Sequence, residues 1–309
     1  MPNQVGTAPQ IDLRELERSL RRPRSLFSFV MSLLTTLATL AALFPLFSVL
    51  YLLVKRGSAA MSLAALSDLP PAAMMSGGGF GNAIVGTLVI VVIATLISVP
   101  IGILAAVYIA EFAPESRTAD AVRFASKVLT GLPSILAGVF AFATVVALTG
   151  GFSAPAGGLA LSLLMIPTVL LTAEEALKRV PPRMREAAIG MGATPTQVVT
   201  KVMLPTAFPG ILTGVMLAIA RAAGETAPLL FTSLFSNFWI SRTYPYFIPK
   251  TLSDLMKPTA SLAVLIYNFS GSPFENQIAL AWSAALALVV LVLAANLVGQ
   301  SIARRSTLP

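Results

Sequence analysis

Long apolar stretches alternate with short polar segments along this chain, and six of the stretches are long enough to cross a membrane as helices. About 20 helical residues span the hydrocarbon core of a bilayer. None of the six shows the strict apolar–polar alternation of a β-barrel strand, so we predict helices throughout. Pro100 and Pro133 are expected to kink or begin their helices, because proline has no amide hydrogen. The six stretches lie near residues 28–54, 82–110, 128–149, 157–176, 209–234 and 278–303.

The composition agrees with an all-α integral membrane protein of six transmembrane helices. Hydrophobic residues make up 56% of the 309 residues and charged residues only 11%, against about 25% in a typical soluble domain. The chain has no cysteine and no histidine, which excludes disulfides, Cys/His metal sites and imidazole catalysis. It also lacks the GxxxxGKS or GxxxxGKT sequence of a P-loop for ATP. We therefore expect no enzymatic activity, no catalytic residue, no cofactor and no metal site in this chain.

The distribution of lysine and arginine predicts the orientation, because cytoplasmic loops of membrane proteins are enriched in these residues. With six spans and an inner N-terminus, the inner segments hold 15 of the 21 cations and the outer segments hold five. Both termini and the loop 177–208 are therefore predicted to be cytoplasmic, and the loops 55–80 and 235–277 to lie outside. The remaining cation, Arg221, falls inside the fifth span.

This topology divides the chain into four regions. They are a cytoplasmic tail over 1–27, a first transmembrane anchor with its outer loop over 28–79, a transmembrane domain over 80–303 and a cytoplasmic tail over 304–309. The first span is interpreted as a retained anchor, because it is about twice as long as the apolar core of a signal peptide. In the N-terminal tail, Leu13, Leu16 and Leu20 recur at helical spacing. This spacing is typical either of a helix along the inner membrane surface or of a solvated tail.

The outer loop 235–277 leaves two questions open. Its segment 259–269 is apolar but too short to cross a bilayer, so it is either an outer helix or a re-entrant piece. The loop is also rich in aromatic residues, which form either a belt at the level of the lipid headgroups or a docking surface for an external partner. These residues are Phe235, Phe238, Trp239, Tyr244, Tyr246 and Phe247.

The inner loop 177–208 is predicted to form two short helices. The first runs through Arg183–Met191 and stops at Gly192, since glycine is a common helix terminator. Thr194-Pro195-Thr196-Gln197 then begins the second helix, with a threonine cap, a proline in the first turn and a glutamine reaching back. We expect the second helix to end before Pro205. Two capped helices on the inner surface would offer a rigid docking element to another protein.

The same loop resembles the EAA loop of ABC importer permeases. The family pattern has Glu-Ala-Ala, a glycine after three residues, and Ile-x-Leu-Pro after nine more. The matching positions are Glu186, Ala187, Ala188, Gly192, Val202, Leu204 and Pro205, with valine in place of isoleucine. The resemblance implies that this loop couples the chain to an ATPase dimer on separate chains, which bind the ATP and Mg²⁺. It also implies the MetI-like fold of type I ABC importer permeases.

A second resemblance is more specific. The segment IARAAGETAPLLFT at 219–232 is similar to the signature of the A-type subunit of phosphate-specific ABC permeases. The segments 82–112 and 131–140 resemble the same subunit, and the likeness covers about residues 80–300. It implies a phosphate importer in a bacterial inner membrane. The implied partners are a C-type permease subunit and an external phosphate-binding protein, with the phosphate ion as the transported substrate.

Arg221 and Glu225 form the candidate site on the substrate pathway. A charge at mid-membrane depth costs at least about 2.5–3.5 kcal/mol, so it requires a compensating function or partner. On a helical wheel the pair shares a face with Gly210, Gly214 and Ala218, where helices approach closely. Leu212, Val215, Met216, Ile219 and Leu230 fall on the other side and are expected to face lipid.

Two interpretations of the pair remain. Arg221 can bind a phosphate anion while Glu225 positions it, or the pair can serve helix packing alone. At the level of the protein, the alternatives are a permease for another oxyanion such as arsenate, or a proton-coupled carrier that uses Glu225. The carrier is less consistent with the sequence, because no two interrupted helices occur at matching positions of two halves.

Overall fold

The computed structural model describes residues 23–241 and 246–305, which form helices joined by loops. The chain divides into two compact units, residues 1–52 and 53–309. Three wider, π-helical turns occur among the α-helices, at Tyr108–Phe112, Phe142–Val146 and Val199–Met203. The α-helices are α1 (Pro23–Ala59), α2 (Leu63–Ser67), α3 (Gly81–Val107), α4 (Arg117–Gly131), α5 (Ser134–Ala141), α6 (Ala147–Thr149), α7 (Ala154–Lys178), α8 (Pro182–Gly190), α9 (Pro195–Val198), α10 (Leu204–Gly224), α11 (Ala227–Leu230), α12 (Leu252–Leu255), α13 (Leu262–Ser270) and α14 (Glu275–Arg305).

Within the described residues, five helical segments are long and apolar enough to cross a membrane. They are Ser25–Ala59, Gly81–Phe112, Ala154–Lys178, Pro195–Gly224 and Glu275–Ala303. A bent pair of helices, Arg117–Gly131 and Ser134–Thr149, makes a sixth crossing if the two count as one span. The helical architecture therefore agrees with the predicted class of membrane protein.

The third predicted span, 128–149, is divided between two helices, with a break at Pro133. The bent pair turns by 103° between Gly131 and Ser134. Pro133 disfavours a helical conformation in the residue before it, and Leu132 is indeed extended, with ψ 143°. The prediction that Pro133 begins a helix is confirmed, because α5 starts at the next residue. In contrast, α3 continues through Pro100 without a break.

The fifth predicted span, 209–234, is wrong at both ends. The helical segment runs over Pro195–Gly224 and so begins well before residue 209. It stops where Glu225 leaves the helical conformation, with φ −74° and ψ 126°. The apolar run continues beyond this point into the separate turn α11, which is why hydropathy alone extended the span to residue 234.

The core of the second unit lies between α3, α7 and α10. Ile90, Leu161 and Val169 are fully buried there. A Cβ atom added at Gly102 would lie 2.8 Å from Val169 Cγ1, and one at Gly158 would overlap Ile93. Glycine at these positions allows α3 and α7 to approach closely, which increases van der Waals contact between helices in a membrane.

The apolar segment 259–269 contains most of α13, a nine-residue helix capped by the Ser261 hydroxyl. As predicted, it is too short to cross a bilayer. Leu265 and Phe269 pack in a second apolar cluster together with Phe80. The backbone amide of Leu262 donates a hydrogen bond of 2.8 Å to Thr87 Oγ1, so the start of α13 is fixed to α3.

The first unit consists, in its described part, of most of α1. Its large apolar side chains are exposed along the helix, including Phe44 and Phe47. A continuous apolar surface of this length is typical of contact with lipid. The N-terminal leucines Leu13, Leu16 and Leu20 lie outside the described residues.

Candidate functional site

The first helix of the inner loop, α8, ends as the sequence predicts. It covers Pro182–Gly190, within one residue of the expected bounds. Gly192 follows with φ +84°, a left-handed conformation that residues with a Cβ atom rarely adopt. The amide of Ala193 donates to the carbonyl of Ala188 at 3.0 Å and so satisfies one of the last carbonyls of the helix.

The second helix begins with the predicted capping box. The amide of Gln197 donates to Thr194 Oγ1 at 3.4 Å, and the amide of Thr194 donates to Gln197 Oε1 at 2.9 Å. Pro195 occupies the first turn, where its missing amide hydrogen costs nothing. Two helix ends in the loop are therefore fixed by local hydrogen bonds.

The expectation that this second helix ends before Pro205 is wrong. The helix continues from α9 through the π-helical turn Val199–Met203 into α10. In the wider turn the amide of Leu204 donates to the carbonyl of Val199, five residues earlier. Such a turn tolerates the missing amide of Pro205 without a break. The loop is thus continuous with the helix that carries Arg221.

The residues that carry the EAA resemblance divide into two groups. Glu186, Ala187, Gly192 and Pro205 are exposed. The other three face inward: Ala188 is buried, while Val202 and Leu204 are half-buried and pack against the core of the second unit. On α8, Glu186 and Ala187 are thus exposed, while the neighbouring Ala188 is buried in the core of the second unit.

Arg221 and Glu225 come together at the end of α10, as predicted. Arg221 Nε lies 3.5 Å from Glu225 Oε1. The Arg221 side chain is 46% exposed and that of Glu225 is 19% exposed. The pair therefore lies at a surface of this chain and is not enclosed by its own helices.

The predicted faces of α10 need one correction. Gly210 and Gly214 do approach a neighbour, since added Cβ atoms would meet Ala176 and Thr172 on α7. However, Val215 is buried, and Met216 packs against Gly299 on α14. Ile219 and Leu230 are also half-buried against the core, so the expected lipid-facing side belongs largely to the core. The reason is that α10 packs against α7 on one side and α14 on another, which leaves a narrower exposed face than a peripheral helix has.

That exposed face forms a stripe along α10, which we call the α10 stripe. Its members recur every three or four residues and include two hydroxyl groups and the guanidinium group. They are Thr206, Gly210, Thr213, Leu217, Arg221 and Gly224. Sequence reasoning missed the two threonines, although their helical spacing from Arg221 was the available signal.

A cavity of about 430 Å³ opens beside the part of the α10 stripe between Thr206 and Leu217. Thr172 and Ala176 of α7 line one side, and Thr206, Thr213 and Leu217 line the other. An exposed ion pair also lines the cavity, with Arg179 Nη2 2.6 Å from Glu175 Oε1. The cavity and the α10 stripe together make a partly polar surface along α7 and α10.

The outer loop has a second cavity, of about 660 Å³, lined by aromatic residues that the sequence singled out. Phe235, Phe238, Trp239 and Tyr246 belong to it, while Tyr244 lies outside the described residues. The buried Asn82 side chain of α3 donates to the carbonyl oxygens of Ser236 and Phe238 at 2.8 and 3.2 Å. The aromatic segment is therefore tied to α3 by specific hydrogen bonds.

In the part of the chain that the structure describes, acidic residues do not cluster in a way that suits a metal ion. Among residues 23–241 and 246–305, no group of three or more histidine, cysteine, aspartate or glutamate side chains could hold one. The buried Glu174 is instead paired with Lys178 Nζ at 2.6 Å and Arg123 Nε at 2.7 Å.

Solved structures of two ABC transporters share the fold. An inward-facing methionine transporter MetNI matches 74% of this chain and 95% of its own chain, with 22% identity and a TM-score of 0.53. A bacterial alginate transporter, in complex with a periplasmic protein bound to an alginate pentasaccharide, matches 94% of this chain and 99% of its own. Its identity is 17% and its TM-score 0.60. The expected MetI-like permease fold is confirmed.

Sequence comparisons are more specific. The family model of binding-protein-dependent transport system inner membrane components matches residues 98–307. The phosphate transport system permease protein PstA of Yersinia pestis is 39% identical over 96% of this chain and 95% of its own. The corresponding probable protein of Methanocaldococcus jannaschii is 39% identical over 71% of this chain and 74% of its own. The chain therefore belongs to the binding-protein-dependent inner membrane transport components and, within them, to the PstA family of phosphate transport system permeases.

Proposed function

We propose that this chain is the membrane-spanning permease subunit of an ATP-driven importer of inorganic phosphate and forms half of the translocation pathway. The observation that carries the proposal is the position of Arg221, at the end of the α10 stripe and at a surface left open by the chain's own helices. In a half-pathway, such a surface faces the second permease subunit across the route of the ion.

Arg221 supplies the anion contact in this proposal. A guanidinium group is always charged and can form two parallel hydrogen bonds to phosphate oxygens. Glu225, 3.5 Å away, orients the guanidinium and weakens its binding of phosphate, so that the ion is released rather than retained. One arginine does not neutralise a dianion, so we expect a second cation from a C-type permease subunit.

The inner loop 177–208 couples this pathway to ATP hydrolysis. The motif residues Glu186 and Ala187 are exposed on α8 and available to a groove on an ATPase subunit. The chain has no P-loop, so ATP and Mg²⁺ are bound by the ATPase dimer. We expect substrate to arrive on an external phosphate-binding protein, with the outer loop 235–277 as the receiving surface.

This function places the chain in a bacterial inner membrane with both termini in the cytoplasm. The orientation is supported by the excess of lysine and arginine in the segments assigned to the inner side. The four regions predicted from the sequence, 1–27, 28–79, 80–303 and 304–309, follow from this topology.

Reconstitution tests the function directly. The chain is co-expressed with its ATPase and C-type subunits, reconstituted into proteoliposomes, and supplied with phosphate-loaded binding protein and ATP. Radiolabelled phosphate should accumulate only when ATP and binding protein are both present. Competition with arsenate and sulfate measures the selectivity among oxyanions. An assembled complex that hydrolyses ATP but moves no phosphate would contradict the proposal.

A further inference from the structure

Glu111 is a buried carboxylate at one end of the α3 segment. It lies in the π-helical turn Tyr108–Phe112, and its side chain is only 6% exposed. Arg185, on α8 of the inner loop, reaches it with Nη1 3.4 Å from Glu111 Oε2. This ion pair joins the inner loop to the α3 segment, which precedes the loop by two spans.

The surroundings of this pair are mostly apolar. A cavity of about 160 Å³ lies between the two residues and α9, lined by Phe112, Ile189 and Val198. A carboxylate in apolar surroundings loses much of its hydration, so it depends strongly on a partner of opposite charge. If Arg185 moved away alone, Glu111 would be left with an uncompensated buried charge. Movement of α8 therefore favours a matching movement of the end of α3.

A second arginine fixes the same end of α3 from the other side. Arg123 of α4 donates to the carbonyl oxygens of Ile109 at 2.9 Å and Pro114 at 3.0 Å. Its Nε donates to Glu174 Oε1 of α7 at 2.7 Å. The π-helical turn is thus held between α8 on one side and α4 and α7 on the other.

We propose that the Glu111–Arg185 pair, here called the clasp, is a positioning contact that transmits displacement of the inner loop to α3, α4 and α7. The inference rests on the proposed function of the loop in coupling to an ATPase. The loop already has a covalent connection to α10 through the π-helical turn at Val199–Met203. The clasp supplies a second connection, so that α3 and α7 move together with α10 when the ATPase displaces the loop.

The clasp is tested in the reconstituted complex with the variants Glu111→Gln, Arg185→Gln and Glu111→Leu with Arg185→Met. The double variant removes both charges and places apolar side chains in an apolar cavity, which often preserves stability. The readouts are co-purification of the ATPase, basal ATPase activity, and the ratio of ATPase activity with and without loaded binding protein. We expect that ratio to fall by about tenfold in all three variants, with co-purification and basal activity retained.

The exposed Glu175–Arg179 pair provides the matched control. It has a shorter distance, 2.6 Å, but lies within one helical turn and connects no two elements. Glu175→Gln should leave the ratio unchanged. A normal ratio in the apolar double variant would show that packing alone transmits the displacement and would overturn the clasp. If the ATPase stimulation ratio fell only in proportion to the amount of assembled complex, the clasp would also be overturned. The wild-type complex separates the two hypotheses: if it transports no phosphate, the proposed function fails, whereas the clasp is judged by the variants relative to wild-type ATPase stimulation.

Discussion

At the scale of single residues, the exposure of Arg221 and Glu225 bears on how much the pair stabilises this chain. Removing one partner of a fully buried ion pair destabilises a protein by about 3–5 kcal/mol. Exposed pairs contribute only about 0–1 kcal/mol. With 46% of the Arg221 side chain exposed, the pair is closer to the second case in this chain. Its removal should therefore affect the transported ion more than the folding of the subunit.

We predict that Arg221→Gln abolishes phosphate uptake while the complex still assembles. Arg221→Lys keeps the charge but loses the planar two-donor geometry, so uptake should be strongly reduced. The double variant Arg221→Gln with Glu225→Gln should be expressed well and remain inactive. Expression and uptake are measured for all three. Uptake near the wild-type rate in the double variant would assign the pair to packing.

A second residue-scale prediction concerns Asp254 in the outer loop. A hydrogen bond from the backbone amide of Lys250 lowers the pKa of Asp254, and further bonds from Ser241, Thr251 and Lys257 act in the same direction. A carboxyl group with a lowered pKa in the folded state stabilises it above the pKa of the unfolded state, and this contribution disappears as the pH falls through the folded pKa.

The outer loop should therefore lose order in acid, at a pH below the ordinary titration range of aspartate. Tryptophan fluorescence of Trp239, recorded during acid titration of a variant in which Trp282 is replaced by phenylalanine, measures this. Asp254→Asn should remove the transition. A transition that persists unchanged in this variant would assign the pH dependence to another group.

At the scale of elements, the sequence predicted a helix end well where a few neighbouring residues determine it. Thr194, Pro195 and Gln197 specify a capping box within four residues, and Gly192 supplies a left-handed helix end. The end of α10 at Glu225 was missed because apolar residues continue on both sides of it. The clasp was missed for a different reason: Glu111 and Arg185 are far apart in the chain, and only the tertiary fold brings them together.

The inner loop gives the element-scale prediction. Gly192→Ala should strain the loop, because an L-residue in the left-handed region costs about 1–2 kcal/mol. Gly192→Pro should be more severe, since proline fixes φ near −65° and Gly192 has φ +84°. Both should reduce phosphate uptake and make ATPase activity independent of binding protein, without loss from the membrane.

Gly190 is the matched control for this test. An added Cβ atom meets nothing within 4 Å at either glycine, so space does not distinguish them. Gly190 lies in α8 and lacks a left-handed φ, so Gly190→Ala should be neutral. Equal effects of Ala at the two positions would refute the conformational explanation. Glu186→Lys tests the exposed surface separately and should uncouple the complex by reversing a charge at the proposed ATPase contact.

At the scale of the whole molecule, the second unit leaves two kinds of surface exposed. Large apolar side chains such as Leu96, Leu104 and Phe124 are suited to lipid or to another membrane subunit. The α10 stripe carries threonine hydroxyl groups and a guanidinium group beside a cavity. The sequence predicted the spans and their overall class, but it could not show which face of α10 remains open, because this depends on how α7 and α14 pack around it.

The predicted topology is tested with single cysteines, which are introduced into a chain that has none. Gly190→Cys lies on α8 and should be shielded from an impermeant thiol reagent in intact spheroplasts but labelled after permeabilisation. Asn237→Cys, at an exposed position of the outer loop, should be labelled in both conditions. Labelling of position 190 in intact spheroplasts would invert the topology.

Because the helix is continuous from Pro195 to Gly224, an insertion or deletion within it would rotate one end relative to the other. Each residue of an α-helix adds a rotation of about 100° and a rise of about 1.5 Å. One inserted residue between Pro205 and Arg221 would turn the guanidinium out of the α10 stripe relative to the inner loop. Insertions near seven residues would restore the angle but move the charge by about two turns, or roughly 11 Å. The rotation of Arg221 about the helix axis is therefore fixed relative to the inner loop, and we expect the spacing between them to tolerate substitutions but not insertions or deletions.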